Sequence, residues 1–255
     1  MFKLLNWIDE CQLTIHLSLN PRATQYLQNN PYKMSWYHLS QSPQAIHLLE
    51  KNLDKIDWYG LSSNTGAIDL IEKNPERIVW QCLSENTSGL PILLKNPDKI
   101  DWVWLSCNPS AIHLLEQNPE KINWFWLSSN PAAIELLKAN PEKINWNCLC
   151  TNTQAIDLLE SNIEKINWFE LSKNPAAIHL LEANIEMINW NELSKNPAAI
   201  HLLEANHEKV NWYELSKNPA IFEYDYKSMS QPFTEELMQN RFHPKNMDKF
   251  ELWGF

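Results

Sequence analysis

Histidine and cysteine are the residue types in this chain that most readily bind metals or act in catalysis, and neither forms a known catalytic or zinc pattern. The five cysteines are an odd number without framework spacing, and Cys148-Leu-Cys150 lacks the second pair that a zinc site needs. Only four glycines occur, so there is no glycine-rich phosphate loop, and neither HExxH nor GxSxG is present. The sequence therefore predicts a non-catalytic protein without metal or cofactor.

Half of the eight histidines recur at multiples of 22 residues: His47, His113, His179 and His201. Other segments have an acidic residue at the equivalent place: Asp69, Glu135 and Asp157. Packed helices lie roughly 10 Å apart, so His179 and His201 are predicted to be too far apart to share a metal ion. This column indicates a solvated face.

The charge of the chain favours some partners over others. Its 21 basic and 31 acidic residues give a formal net charge of −10, which repels phosphate backbones and anionic lipid. The charge therefore disfavours nucleic acid as a partner and no membrane association is expected, whereas a basic protein partner, from the host or the virus, suits the charge. No signal peptide is recognisable at Met1–Glu10, and the cysteines read as free thiols, so we expect an intracellular protein.

A 22-residue repeat organises the chain. Its unit reads W-x-x-L-S-x-N-P-x-A-I-x-L-L-E-x-N-P-E-K-I-N, with tryptophan as position 1 at Trp36, Trp58, Trp80, Trp102, Trp124, Trp146, Trp168, Trp190 and Trp212. A unit without tryptophan precedes them, with Thr14 at position 1. About ten units therefore occupy residues 14–220, which is the pattern of a stacked repeat protein.

Each unit contains two helix starts. Asn at position 7 followed by Pro at position 8 is an N-cap before a proline in the first turn, and Asp or Asn at position 22 can cap a short helix that begins at the tryptophan. The apolar residues at positions 10, 11, 13 and 14 form one stripe. Pro91, at position 12, is predicted to bend or shorten a helix that begins at Asn86.

The fold class predicted from these units is an all-α solenoid of about ten two-helix repeats. A single helix pair cannot bury its own apolar residues, so neighbouring units must cover them. The position 1 tryptophans are expected to stack in one internal column. Because solenoid ends need covers, residues 1–13 are predicted to form an N-terminal cap helix and residues 221–255 a C-terminal cap, with a helix from Thr234.

Positions 2 and 3 of the short helix vary while the surrounding frame is constant, which is typical of a binding surface. Trp104 and Trp126 occupy position 3 of adjacent units, where the two units on either side have Gly60 and Cys82, and Cys148 and Glu170. Large aromatic residues dominate interface energetics. The predicted partner-binding residues are Tyr37, Tyr59, Trp104, Phe125, Trp126, Phe169 and Tyr213. For the position 2 rings, gap-filling between units is an equal alternative.

The repeat NPAAIHLLEAN and a tail of the form FEYDY…EELM…FHPKN…WGF resemble a family of short-repeat proteins encoded by large nucleocytoplasmic DNA viruses. This resemblance covers nearly the whole chain and implies an intracellular viral protein, in the host cell or the virion, without a catalytic residue set. We therefore expect a protein-binding scaffold or adaptor. The alternatives are a self-assembling virion component and a nucleic-acid reader that uses the variable residue pairs.

Overall fold

A computed structural model of the chain describes residues 2–224. It shows the all-α repeat solenoid that the sequence predicts, with two short α-helices in nearly every unit. The α-helices of the described range are α1 Thr24–Asn29, α2 Trp36–Ser40, α3 Ile46–Leu49, α4 Trp58–Ser63, α5 Ile68–Glu72, α6 Trp80–Glu85, α7 Leu90–Lys95, α8 Trp102–Leu105, α9 Ile112–Glu116, α10 Trp124–Leu127, α11 Ile134–Lys138, α12 Trp146–Leu149, α13 Ile156–Glu160, α14 Trp168–Leu171, α15 Ile178–Ala183, α16 Trp190–Leu193, α17 Ile200–Ala205 and α18 Trp212–Leu215.

The predicted capping residues begin these elements. In the unit that starts at Trp102, Asp101 accepts hydrogen bonds from the backbone N–H groups of Val103 and Trp104. Asn108 caps a 3-10 turn, Pro109–Ala111, that leads directly into α9. A second 3-10 turn, Pro119–Lys121, carries the chain to the next unit. Two α-helices, followed by a 3-10 turn into the next unit, therefore form each complete unit.

The core is a column of aliphatic side chains at positions 4, 10 and 14, represented in one unit by Leu127, Ala133 and Leu137. The position 1 tryptophans are only partly buried, so the expectation that they stack in one internal column is wrong. Each packs one side against the core, and six carry a Lys or Arg over the ring at 4.3–5.2 Å. The aliphatic column fills the narrow interior, and the larger indoles cover it from outside.

Buried asparagines at position 7 join successive units through a ladder of side-chain hydrogen bonds. The Nδ2 of Asn130 donates to the backbone oxygens of Ser106 and Asn108, at 3.0 and 3.1 Å. The Oδ1 of Asn130 accepts from the N–H of Ala132 at 2.9 Å, so the same side chain caps its own turn. Asn at position 17 makes a local bond instead, as Asn140 does to the Leu136 oxygen.

A second ladder uses the hydroxyl at position 5. Ser106 Oγ donates to the Trp102 oxygen at 2.8 Å and accepts from the N–H of Asn123 at 2.9 Å. Cys150 occupies this position in its unit, and its Sγ accepts from Asn167 N–H at 3.3 Å. Cys150 is therefore a core residue of the ladder. This structural role explains one of the two cysteines in the Cys148-Leu-Cys150 sequence.

The two ends of the repeat array contact each other and close it into a ring. Asn20 Nδ2 donates to the Asn218 oxygen at 2.8 Å, and Thr14 N–H donates to Ser216 Oγ at 3.1 Å. The Asn20 bond repeats one bond of the position 7 ladder between the first and last units. The Thr14 bond uses the position 5 hydroxyl of the second ladder, with its donor at position 1 instead of position 22. Strands β1 (Phe2–Leu4) and β2 (Phe222–Tyr224) pair antiparallel beside them.

The predicted terminal caps differ from this arrangement. Residues 1–13 contain β1 and a 3-10 turn, Glu10–Gln12, rather than the expected cap helix, because the first residues pair with the far end of the chain. At the other end, Ile221 and β2 complete the junction. The helix expected from Thr234 lies outside the described residues.

The prediction for Pro91 is also wrong. Helix α7 begins at Leu90, so Pro91 lies in its first turn, where a backbone N–H has no helical acceptor. Position 10 of this unit is Gly89, and a Cβ built there would lie 2.7 Å from the Leu83 oxygen. The close approach of Leu83 therefore requires glycine at residue 89.

Candidate partner-binding surface

One face of the ring is formed by positions 2, 3 and 6 of the first helices, and we call it the first-helix face. The position 2 side chains stand on it 42–51% exposed: Tyr37, Tyr59, Val103, Phe125, Phe169 and Tyr213. The alternative that these rings fill gaps between units therefore does not describe them. Of the seven predicted partner-binding residues, five are these exposed position 2 aromatics.

The other two predicted residues, Trp104 and Trp126, stack on each other. Their ring centroids lie 5.0 Å apart with an interplanar angle of 28°. Phe125 meets Trp126 edge-on at 5.1 Å. The spacing is shorter than the usual distance between packed helices because side chains at position 3 of neighbouring units converge. The three rings form a continuous apolar cluster, which we call the indole cluster.

A groove of about 410 Å³ opens beside the indole cluster. Phe125 and Trp126 form its aromatic wall, and Cys148, Thr151 and Glu170 belong to the two following units. Trp104 does not line the groove, so the groove lies on the side of Trp126 away from its stacking partner. The sequence did not predict the groove, since no single unit contains it.

Charged residues occupy positions 3 and 6 in the last three units. Lys173 donates to Glu170 at 2.7 Å and reaches Glu192 at 3.7 Å, and Lys195 continues the chain of ion pairs from Glu192 toward Glu214. The glutamate side chains are 13–25% exposed, so the pairs are better shielded from water than ordinary surface pairs. The first-helix face thus divides into an aromatic arc and an ionic arc.

The ionic arc ends at two histidines across the ring closure. The rings of His16 and His38 lie 4.7 Å apart, and the His16 ring contacts Tyr213 at 4.0 Å. Burial lowers the pKa of both imidazoles, and the positive charge of Lys217 lowers it further. These surroundings therefore favour the neutral form of both rings.

The thiols on the first-helix face are poor nucleophiles. Burial raises the pKa of Cys107 to about 12 and that of Cys148 to about 11. A thiolate is the reactive form, so these side chains stay protonated and unreactive at neutral pH. Within residues 2–224 no three His, Cys, Asp or Glu side chains are grouped to hold a metal ion.

The position 12 histidines lie on an exposed face, as predicted. His179 and His201 each contact the glutamate at position 15 of the preceding unit, at 2.7 and 2.8 Å. His113 instead contacts Glu116 of its own helix. The His179 and His201 pairs therefore join neighbouring units at the surface.

No known protein family, curated protein or solved structure matches this chain. Among the helices of residues 2–224, none is both long and apolar enough to span a membrane.

Proposed function

We propose that this protein is a non-catalytic scaffold that binds another protein through the aromatic arc of its first-helix face. The observation that carries the proposal is the exposure of the position 2 aromatics beside the indole cluster, while the repeated frame residues at positions 4, 10 and 14 are buried. The frame needs no aromatic ring at position 2, since Gln81, Val103 and Asn147 occupy it in other units. Exposed aromatic surface of this kind is typical of protein interfaces.

The ring closure favours this role over a self-assembling virion component. An open solenoid presents an uncovered core at each end, onto which another copy can stack. Here the first unit covers the last through the Asn20–Asn218 and Thr14–Ser216 bonds, so neither end of the array is open in this way. The charge disfavours a nucleic-acid reader, because ssDNA and RNA binding needs a basic groove. A viral origin and an intracellular site of action remain part of the proposal through the sequence resemblance.

Affinity capture with matched variants tests the proposal. The test variant replaces Phe125 and Phe169 with serine, and the control variant makes the same change at Leu53 and Ile163, which are exposed to a similar extent at position 18. We expect the wild type and the control to retain one shared partner that the test variant loses. Binding of the purified partner should then show the same order of affinities.

A second variant concerns the indole cluster. Trp104→Ala combined with Trp126→Ala is expected to abolish partner binding while shifting the melting temperature only slightly, because both rings lie outside the buried column. Unchanged binding by both aromatic variants would contradict the proposal. Sedimentation over a range of concentrations and a salt-dependent mobility shift with single-stranded DNA check the two alternatives directly.

A further inference from the structure

The groove beside Trp126 has the chemistry of a cation-binding site. Its aromatic wall is formed by Phe125 and Trp126, and Glu170, from two units further along the chain, also lines it. An indole face and a carboxylate that line the same groove both attract positive charge, the first through its quadrupole and the second through its formal charge.

Several other polar groups of the groove are already paired within the protein. Thr151 Oγ1 donates to the Cys148 oxygen, Ser129 Oγ donates to the Trp126 oxygen, and the Asn147 Oδ1 accepts from Asn167. Lys173 contacts only Oε2 of Glu170, so Oε1 has no hydrogen-bond or ion-pair partner within residues 2–224. The Oε1 of Glu170 therefore suits a ligand that donates a hydrogen bond.

The same chain repeatedly places a cation over an aromatic ring. Six position 1 tryptophans carry a Lys or Arg from position 20, and Phe169 and Tyr213 at position 2 are covered by Lys173 and Lys217 at 4.6 and 4.5 Å. The Phe125 unit has Ser129 in place of that lysine. Neither Phe125 nor Trp126 has a Lys or Arg over its ring in the described part of the chain.

We propose that an arginine side chain of the partner protein inserts into this groove, with its guanidinium lying flat on the Trp126 indole and donating to Glu170 Oε1. This inference rests on the proposed function and names the chemistry of the partner. A planar guanidinium can stack on an indole and hydrogen-bond to a carboxylate in its own plane, whereas a lysine ammonium is a compact and strongly hydrated charge. The net charge of −10 favours approach of such a basic segment.

A second acidic residue lies near the other end of the indole cluster. Glu85 is at position 6 of the unit that precedes Trp104, the same relative place from which Lys173 reaches Glu192. Glu85 has no basic partner within residues 2–224, and burial raises the pKa of its carboxyl group. By the repeat register, an acidic residue thus stands on each side of the stacked indoles, which suits a partner segment with more than one basic residue.

Fluorine NMR of the full-length protein labelled with 5-fluorotryptophan tests the inference, with the Trp126 and Trp104 signals assigned from Trp126→Phe and Trp104→Phe. The probes are N-acetyl-arginine methylamide, the corresponding lysine derivative and the citrulline derivative, which is a neutral isostere of arginine. We expect arginine to shift the Trp126 signal saturably, with affinity at least tenfold higher than citrulline and severalfold higher than lysine. Equal affinities for arginine and citrulline would overturn the inference.

Three variants sharpen the test. Glu170→Gln should weaken arginine binding at least tenfold, whereas Lys173→Gln should strengthen it severalfold, because the whole carboxylate then becomes available. Glu214→Gln is the matched control, since Glu214 holds the same position two units further on, away from the groove, and it should change nothing. If Glu170→Gln does not fold, the opposite prediction for Lys173→Gln and the citrulline comparison decide.

The outcome is distinguishable from failure of the proposed function. Arginine that leaves the Trp126 signal unmoved, while the Phe125→Ser, Phe169→Ser variant still loses its partner, overturns this inference and leaves the scaffold proposal in place. If arginine binds at the groove but neither aromatic variant loses a partner, the arginine site exists and the scaffold proposal is wrong.

Discussion

The asparagine ladder is the feature whose energetic weight can be predicted most directly. Asn130 makes three hydrogen bonds: two from Nδ2 to the preceding unit and one to Oδ1 from its own turn. The side chain is fully buried. A net value of about 1 kcal/mol for each bond predicts that Asn130→Ala lowers the free energy of unfolding by about 3 kcal/mol.

Asn140 is the matched control for this change. It is the same residue type in the same unit, but its Nδ2 makes a single local bond to the Leu136 oxygen at a partly buried site. Asn140→Ala should therefore cost about 1 kcal/mol. The contrast between the two variants isolates the bonds between units from the general effect of removing an amide.

Urea unfolding followed by both far-ultraviolet circular dichroism and tryptophan fluorescence measures the two costs. Two probes are needed because repeat arrays can unfold in parts, and coincident transitions show that a single free energy is meaningful. Equal losses for the two variants, or a loss below about 1 kcal/mol for Asn130→Ala, would refute the view that the ladder holds successive units together.

Four further outcomes are expected. Asn20→Ala, at the ring closure, should cost about 2 kcal/mol in urea unfolding, because one bond to the last unit and one local bond are lost, whereas an array with free ends would lose only the local one. Leu137→Ala in the buried column should cost roughly 2–5 kcal/mol, measured in the same way. Burial lowers the pKa of His38 below 6.5, so the unfolded chain binds more protons than the folded chain in mild acid. The free energy of unfolding should therefore be at its full value above about pH 6.5 and decline below it, and His38→Gln should weaken that dependence. With a thiol reagent at pH 7, exposed Cys11 should react quickly and Cys107 only on unfolding; rapid labelling of the Cys11→Ser variant would count against this.

Much of the unit could be predicted from sequence because its signals are local. The residue pair Asn108-Pro109 marks a turn that begins a helix, and the structure places the cap bond there. An apolar stripe was predicted at positions 10, 11, 13 and 14; in one unit Ala133 and Leu137 are buried, and Ile134 and Leu136 are partly buried against the core. These features depend on residues within one unit, so periodicity and capping preferences are enough to identify them.

The errors arose where a distant residue decides the local conformation. The first residues read as a cap helix, but β1 pairs with β2 more than two hundred positions away. The tryptophans read as core, yet the interior is filled by the aliphatic column and the indoles cover it under a cationic side chain. In both cases the apolar residues were correctly recognised as ones that pack against the rest of the protein. The tertiary structure decided the backbone conformation of the first residues and the depth at which the tryptophans lie.

The candidate site shows the same division. Sequence variation at positions 2 and 3 identified Phe125, Trp104 and Trp126, but the groove needs Cys148 and Glu170 from two further units. Its form depends on how closely the units approach, and the 5.0 Å indole stack is shorter than a general helix spacing predicts.

The sequence by itself determined the unit, its helix starts, its core residues and the number of repeats. Only the tertiary structure decided that ten units close into a ring. Closure requires each junction to turn the chain by about a tenth of a circle, and that angle depends on small differences in side-chain packing between units. A periodic sequence pattern indicates which residues face the neighbouring unit but does not determine the angle between units. The bonds of Asn20 and Thr14 to the last unit are therefore evident only in the folded chain.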